Sequence, residues 1–127
     1  MALYLYVNAV LYFVFAVWST LTPWKIASNI GYETLTASGK SEFLVVYGAL
    51  ELGLAALFAY MAANTHLQQP GVLIALFFYV PIVAYRLVTV LKFWPVRRMT
   101  LGVGLLELAL LAWGVLLLLF SRAPQVP

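Results

Sequence analysis

The sequence predicts an all-α protein, a four-helix transmembrane bundle that runs up-down-up-down with short loops. Three observations lead to this prediction. The chain has 127 residues, of which 65% are hydrophobic and only 9% charged, whereas soluble domains carry about 25% charged residues. The apolar residues gather in four segments, each near the roughly 20 residues that a helix needs to cross a bilayer. The segments lack the period-two alternation of membrane β-strands, which leaves helices as the spanning structure.

The four predicted spans form one integral membrane domain over residues 1–127. The first span lacks a positively charged start and a small-residue cleavage site, so it is predicted to be a retained helix and not a signal peptide. Approximate bounds follow from the apolar runs. They are residues 2–21, 42–61, 72–91 and 100–120.

Local signals mark the joints between the spans. Thr22 followed by Pro23 predicts the start of a short interfacial helix over residues 23–30, and Gly31 is its expected terminator. Ser41 is the expected N-cap of the second span. The stretches "QQPG" and "KFWPVRR" are expected to break the chain before the third and fourth spans.

Basic residues predict the orientation of the chain. The segments 22–41 and 92–99 hold five of the seven Lys and Arg residues, whereas the opposite side holds only Arg122 and the α-amino group. Because cytoplasmic loops carry an excess of Lys and Arg, both basic segments are expected in the cytoplasm and both termini outside.

Three ionisable residues lie inside different spans. With a helical rise of 1.5 Å per residue, Glu51, Arg86 and Glu107 fall roughly 13, 8 and 10 Å from the cytoplasmic end. An unpaired charge costs about 2.5–3.5 kcal/mol at the bilayer centre, so the three side chains are predicted to point inward and meet. Two carboxylates for one guanidinium leave an excess negative charge, and one glutamate is expected to be held protonated.

Other polar residues complete the candidate ligand-binding site. Tyr47 precedes Glu51 by one helical turn, and Tyr79 shares a helix face with Arg86. Asn8 gives the first span a polar side chain near mid-membrane, and Glu42 stands at the start of the second. The predicted ligand-binding residues are Asn8, Glu42, Tyr47, Glu51, Tyr79, Arg86 and Glu107. A structural ion network that fixes helix register would also explain these charges.

Composition excludes several kinds of chemistry. The chain has no cysteine, which removes disulfides, thiol redox pairs and thiolate metal sites. The net charge of +3 is too small and too local to indicate nucleic-acid binding. His66 stands alone in a predicted outer loop without neighbouring Cys, Asp or Glu, so no metal site is predicted. No cofactor is predicted either.

Three segments carry a family resemblance. "SGKSEFLVVYGALELGL", "YRLVTVL" and "GLLELALL" together resemble a family of small bacterial four-helix membrane proteins of unknown function, related to DoxX-like proteins. The resemblance implies a place in the bacterial inner membrane. Some DoxX-like relatives are subunits of membrane oxidoreductase complexes linked to quinone or sulfur metabolism, and others assist assembly. The resemblance therefore implies membership of a membrane complex, and it carries over no catalytic residue.

These observations favour a small accessory or ligand-binding membrane subunit. It would act as a homo-oligomer or inside a larger complex, and its charged site would receive a membrane lipid, a quinone or another lipophilic small molecule. The alternative is a membrane enzyme, an isomerase or an oxidoreductase-linked protein, in which Glu51 and Glu107 are the catalytic acid and base. A proton or cation pathway is a weaker third hypothesis. In the outer half of the bundle only Asn8 and tyrosines are available to continue such a pathway.

Overall fold

The computed structural model describes residues 1–121, which are almost entirely helical and contain no β-strand. A single 3₁₀ turn, Thr65–Leu67, stands between the third and fourth helices. The helices are α1 (Ala2–Leu21), α2 (Pro23–Ile30), α3 (Ala37–Ala63), α4 (Gln68–Lys92) and α5 (Arg98–Ser121). Arg122, which was predicted to lie on the outer side, falls outside the described residues.

Four of these helices are long and apolar enough to cross a membrane: α1, α3, α4 and α5. The predicted all-α fold is therefore confirmed, and the chain has the helices of a multi-pass membrane protein. Helix α2 is the extra short helix predicted between the first two spans. Thr22 precedes it, Pro23 occupies its first turn, and Gly31 ends it in a left-handed conformation at φ 107°.

The predicted N-cap of the helix that contains the second span is wrong. Helix α3 begins at Ala37 because the Thr36 hydroxyl accepts a hydrogen bond from the Gly39 amide at 3.1 Å. That bond satisfies one of the free N–H groups at the helix start. Ser41 consequently lies inside the first turns of α3 and does not cap it.

The expected break at "QQPG" is also wrong. Helix α4 begins at Gln68, so Pro70 lies in its first turn, where an N–H group has no acceptor inside the helix and its absence costs nothing. The turn falls earlier, at Asn64, whose side-chain amide donates to the carbonyl of Tyr60 at 2.6 Å. The break at "KFWPVRR" is confirmed, since α4 ends at Lys92 and α5 begins at Arg98.

The middle of α3 is π-helical over Val45–Leu50, a feature that apolar periodicity does not reveal. π-Helical turns are rare and frequently occur at functional sites. This one lies where α1 passes very close. A Cβ atom added to Gly48 would lie 2.9 Å from the Thr20 hydroxyl oxygen, so the wide turn and the glycine together let the two helices touch.

The bundle is built from two helix pairs. Helix α1 packs along α3, and α4 packs along α5. The pairs join in the half that contains the start of α1 and the α3–α4 turn, where Tyr4, Leu5, Phe58 and Val72 are fully buried. At Gly71 a Cβ atom would lie 2.9 Å from a methyl carbon of Leu5, so the pairs are in close contact there.

Helix α2 covers the other end of the bundle. It buries Ile26 and Ala27 in a small core against Phe43 of α3. The Arg97 guanidinium also donates to the carbonyl of Ser28 at 2.6 Å and ties α2 to the α4–α5 connection. Between this cover and the packed half, the two helix pairs leave a cavity.

Candidate functional site

The candidate site is a cavity of about 630 Å³ between the two helix pairs. All five helices contribute to its walls, together with Gly31 and Tyr32 from the segment after α2. Its charged side chains are Glu51, Arg86 and Glu107. The remaining wall is mostly aliphatic and aromatic, so the cavity combines a few charged groups with a largely apolar lining.

Arg86 and Glu107 form a two-bond ion pair across the α4–α5 contact. Nε of Arg86 donates to one carboxylate oxygen at 2.8 Å, and Nη2 donates to the other at 2.6 Å. This fork geometry is the strongest pairing of a guanidinium with a carboxylate. A Cβ atom at Gly104 would lie 3.3 Å from Cγ of Arg86, so the arginine stem lies directly on the backbone of α5.

Glu51 has a different environment from Glu107. It lines the same cavity, yet within residues 1–121 it has neither a hydrogen bond nor a salt bridge from its carboxylate. The competition of two glutamates for one arginine is therefore resolved in favour of Glu107. The charged groups are also less enclosed than expected, since the Arg86 side chain keeps 32% of its accessible surface and that of Glu107 keeps 14%.

Tyr79 and Asn8 close the inner end of the cavity. The Tyr79 hydroxyl donates to the Asn8 side-chain oxygen at 2.5 Å, and the Asn8 amide donates to the carbonyl of Tyr4 at 2.8 Å. Asn8 is fully buried, and both of its polar groups are satisfied by the protein. Tyr79 lines the cavity, whereas Asn8 lies behind it and helps to fix the tyrosine.

Five of the seven predicted site residues share the cavity wall. They are Tyr47, Glu51, Tyr79, Arg86 and Glu107. Asn8 supports this set from behind. Glu42 lies on the exposed surface of α3, outside the cavity lining. Any role of Glu42 in binding would therefore require a ligand that extends beyond the cavity.

Sequence reasoning missed the aromatic wall that α1 contributes. Tyr12, Phe15 and Trp18 all line the cavity, and the rings of Phe15 and Tyr47 meet edge to face with centroids 6.1 Å apart. The four-residue spacing of Tyr4, Asn8 and Tyr12 does predict a polar stripe on the first span, but Tyr12 was not included in the predicted site. Phe15 and Trp18 carried no such signal, because aromatic residues near a span end commonly serve as interfacial anchors.

Comparisons with known proteins found no match to this chain. No family model, no curated protein and no solved structure matches it. The resemblance to DoxX-like proteins stays a prediction from the sequence.

The chemistry available in the cavity is that of carboxylates, one guanidinium and phenols. Among residues 1–121 there is no group of three or more His, Asp or Glu side chains placed to hold a metal ion. The tyrosine hydroxyls can donate or accept hydrogen bonds, and the apolar wall can enclose a hydrocarbon or ring system. This combination suits recognition of a lipophilic molecule with a polar head.

Proposed function

We propose that this protein is a small multi-pass membrane subunit that binds a lipophilic small molecule between its two helix pairs. The observation that carries the proposal is the cavity of about 630 Å³, in which three charged side chains line an otherwise mostly apolar wall. Ligand pockets commonly have volumes of about 300–1,000 Å³, mostly apolar walls and a few polar groups that fix orientation. A structural ion network by itself would need no such space.

The walls indicate how a ligand would lie. Its polar head would face Glu51, the Arg86–Glu107 pair and the hydroxyl of Tyr47, all of which border the cavity. Its apolar part would contact Val103 and other side chains of α1 and α5. A membrane lipid and a quinone are both proposed occupants, since each combines a polar head with a long apolar part.

Partners and location belong to the same proposal. The segments that link the four long helices are short and hold little besides α2, which favours action as a homo-oligomer or inside a membrane complex. The relation to DoxX-like proteins, and with it the bacterial inner membrane, rests on the sequence resemblance. The basic segments 22–41 and 92–99 support a cytoplasmic position for the covered end of the cavity.

A substitution that fills the cavity with a larger side chain tests whether a ligand binds there. Leu106 lines the cavity and is 44% exposed, while Leu116 on the same helix is 49% exposed and lies outside the lining. Leu106→Trp should lower the amount of co-purified lipophilic molecule, measured by native mass spectrometry from mild detergent. The matched Leu116→Trp protein should keep it. Wild-type protein that carries no small molecule, or equal retention in both variants, would refute ligand binding in this cavity.

A second candidate is a membrane enzyme that acts on a lipophilic substrate. It is favoured by the contrast between the two carboxylates, since Glu107 is held by Arg86 whereas Glu51 has no bonded partner among the described residues. Enzymes that use two carboxylates as acid and base depend on such unequal environments. Turnover of a bound molecule that is lost in both Glu51→Gln and Glu107→Gln, with binding retained, would favour this candidate.

A further inference from the structure

We propose that the cavity selects an amphiphilic cation, such as a lipophilic ammonium compound, with Glu51 as its counter-ion. This inference rests on the proposed ligand-binding function and names the chemical class of the ligand. It follows from the balance of charges around the cavity and from the kind of rings in its wall.

The balance of charges leaves one carboxylate without a partner. The cavity lining contains one guanidinium and two carboxylates. Arg86 and Glu107 neutralise each other through their two hydrogen bonds. The other basic side chains of the described residues, on segments 22–41 and 92–99, lie outside the lining. Glu51 therefore faces the cavity with no cation from the protein beside it.

A cationic ligand would supply the missing charge. A lone carboxylate inside a membrane span is costly, so an unpaired carboxyl group there keeps its proton, whereas a cation bound beside it favours the ionised form. A ligand that carries a positive charge on a lipophilic body could enter from the bilayer and form this pair. An anionic head would instead meet an arginine whose charge Glu107 already neutralises, next to a carboxylate that repels it.

Aromatic residues are frequent in the wall of the cavity that Glu51 lines. Six of the lining residues are aromatic: Tyr12, Phe15, Trp18, Tyr32, Tyr47 and Tyr79. The faces of Trp, Tyr and Phe rings attract cations, and aromatic cages are a common way to bind quaternary ammonium groups. A neutral aliphatic lipophile gains nothing specific from these rings, because aliphatic side chains would contact it equally well.

Two ions of matched shape and opposite charge give the most direct test. Tetraphenylphosphonium and tetraphenylborate would be titrated separately into the purified full chain in nanodiscs of zwitterionic lipid, with binding followed by calorimetry and corrected for empty nanodiscs. The phosphonium ion should bind at least roughly tenfold more tightly, since charges of opposite sign a few ångströms apart attract strongly at this depth. Equal binding, tighter binding of the borate ion, or binding of neither ion would overturn the cation preference.

The native lipophile separates this inference from the function on which it rests. If a neutral or anionic molecule co-purifies with wild-type protein and is lost in Leu106→Trp, the cavity binds lipophiles and only the proposed ligand class is wrong. If no molecule co-purifies and neither tetraphenyl ion binds, the proposed function fails together with the inference.

Matched variants locate the counter-ion. Glu51→Gln should weaken phosphonium binding by roughly tenfold or more, and Glu51→Asp should retain most of it. Glu42→Gln makes the same chemical change on the same helix at an exposed position outside the cavity, and it should bind like wild type. Phosphonium binding that survives in folded Glu51→Gln would overturn the assignment. If Glu51→Gln does not fold, the Glu51→Asp variant and the two ions on wild-type protein still decide the question.

Discussion

Glu51 and Glu107 line the same cavity but have different roles, because within residues 1–121 only Glu107 has a bonded partner. Glu107 shares both carboxylate oxygens with Arg86, and the pair joins α4 to α5. Glu51 faces the cavity and has no such bond within the described part of the chain. At the scale of single residues, Glu107 is therefore mainly a structural group and Glu51 is available to a ligand.

This difference predicts opposite effects of the same substitution on stability. Glu107→Gln should lower the free energy of unfolding by roughly 1–3 kcal/mol, because it leaves the Arg86 guanidinium without its carboxylate. The loss should be smaller than for a fully buried pair, since 32% of the Arg86 side chain is exposed. Glu51→Gln should leave stability unchanged or raise it, because no bond is lost and an unpaired carboxyl group in the span is replaced by a neutral amide.

Thermal unfolding in detergent measures both effects, with Glu42→Gln as the exposed control. A loss of stability in Glu51→Gln equal to that in Glu107→Gln would mean that Glu51 belongs to a structural ion network. That result would favour the alternative in which the charged residues form a structural ion network that only fixes helix register.

Glycines of α5 predict a second contrast at the residue scale. A Cβ atom at Gly114 would lie 2.8 Å from a methyl carbon of Leu76 and 2.9 Å from the hydroxyl of Tyr4. Tyr4 is fully buried and its ring packs edge to face on Trp113, so it has little room to move. Gly114→Ala should destabilise the protein by about 1–2 kcal/mol, because the crowding outweighs the gain in helix propensity.

The matched control lies on the same helix. A Cβ atom at Gly102 would meet nothing within 4 Å, so Gly102→Ala should be neutral or stabilising by up to about 1 kcal/mol. Melting temperatures of the two variants provide the comparison. A Gly114→Ala protein as stable as Gly102→Ala would contradict the tight contact between α1 and α5.

At the scale of elements, two irregular segments shape the cavity. The π-helical turn Val45–Leu50 brings α3 against α1 and carries Tyr47, which lines the cavity. Helix α2 covers the end of the bundle, and the turn after it adds Gly31 and Tyr32 to the wall. Apolar content predicts where a helix crosses the membrane, but these two segments decide what the helices enclose.

A substitution at Gly31 tests whether the end of α2 helps to shape the cavity. Its φ of 107° lies in a region that residues with a side chain rarely adopt, and a Cβ atom there would meet nothing within 4 Å. Any penalty is therefore conformational, and Gly31→Ala should cost about 1–2 kcal/mol of stability. It should also weaken phosphonium binding, because Ile30 and Tyr32 on either side line the cavity.

Gly31→Asn is the graded control, since asparagine tolerates left-handed conformations better than alanine does. Melting temperature and binding should follow the order glycine, asparagine, alanine. An alanine variant that matches wild type in both measurements would show that the end of α2 does not depend on this conformation.

At the scale of the whole molecule, two helix pairs meet in one half and separate in the other. The meeting half holds the fully buried side chains, among them Tyr4, Leu5 and Phe58. The separated half holds the cavity and lies beside α2, close to the segments with most of the basic residues. Small and interlocking residues close one half of the bundle, and charged and aromatic residues line the other.

The orientation of the whole molecule can be tested directly because the chain has no native cysteine. Glu33 and His66 are both exposed and lie on segments that face opposite ends of the bundle. The positive-inside rule predicts that His66→Cys reacts with a membrane-impermeant maleimide in intact cells, whereas Glu33→Cys reacts only in inverted vesicles. Both should react in detergent, and the reverse pattern in membranes would refute the proposed topology.

Element boundaries show where sequence reasoning succeeded and where it failed. Pro23 and Gly31 gave the bounds of α2, because helix-start and turn preferences act over a few residues. Thr22 does precede α2, but its hydroxyl donates to the carbonyl of Trp18 at 3.1 Å and does not cap α2. The start of α3 was misplaced at Ser41, since Thr36 competes for the same role and is used instead. Pro70 was read as a break, although the first turn of a helix accepts proline.

The sequence by itself determined the number of helices long enough to cross a membrane and the short helix between the first two, and it singled out the charged residues for which contact with lipid is costly. Those features depend on transfer free energy and local backbone preference, which each segment carries independently. Tertiary structure alone decided which glutamate Arg86 binds, that Asn8 supports Tyr79, and that Phe15 and Trp18 border a cavity. Those outcomes depend on the distance and rotation between helices that are far apart in the chain, which no single segment specifies.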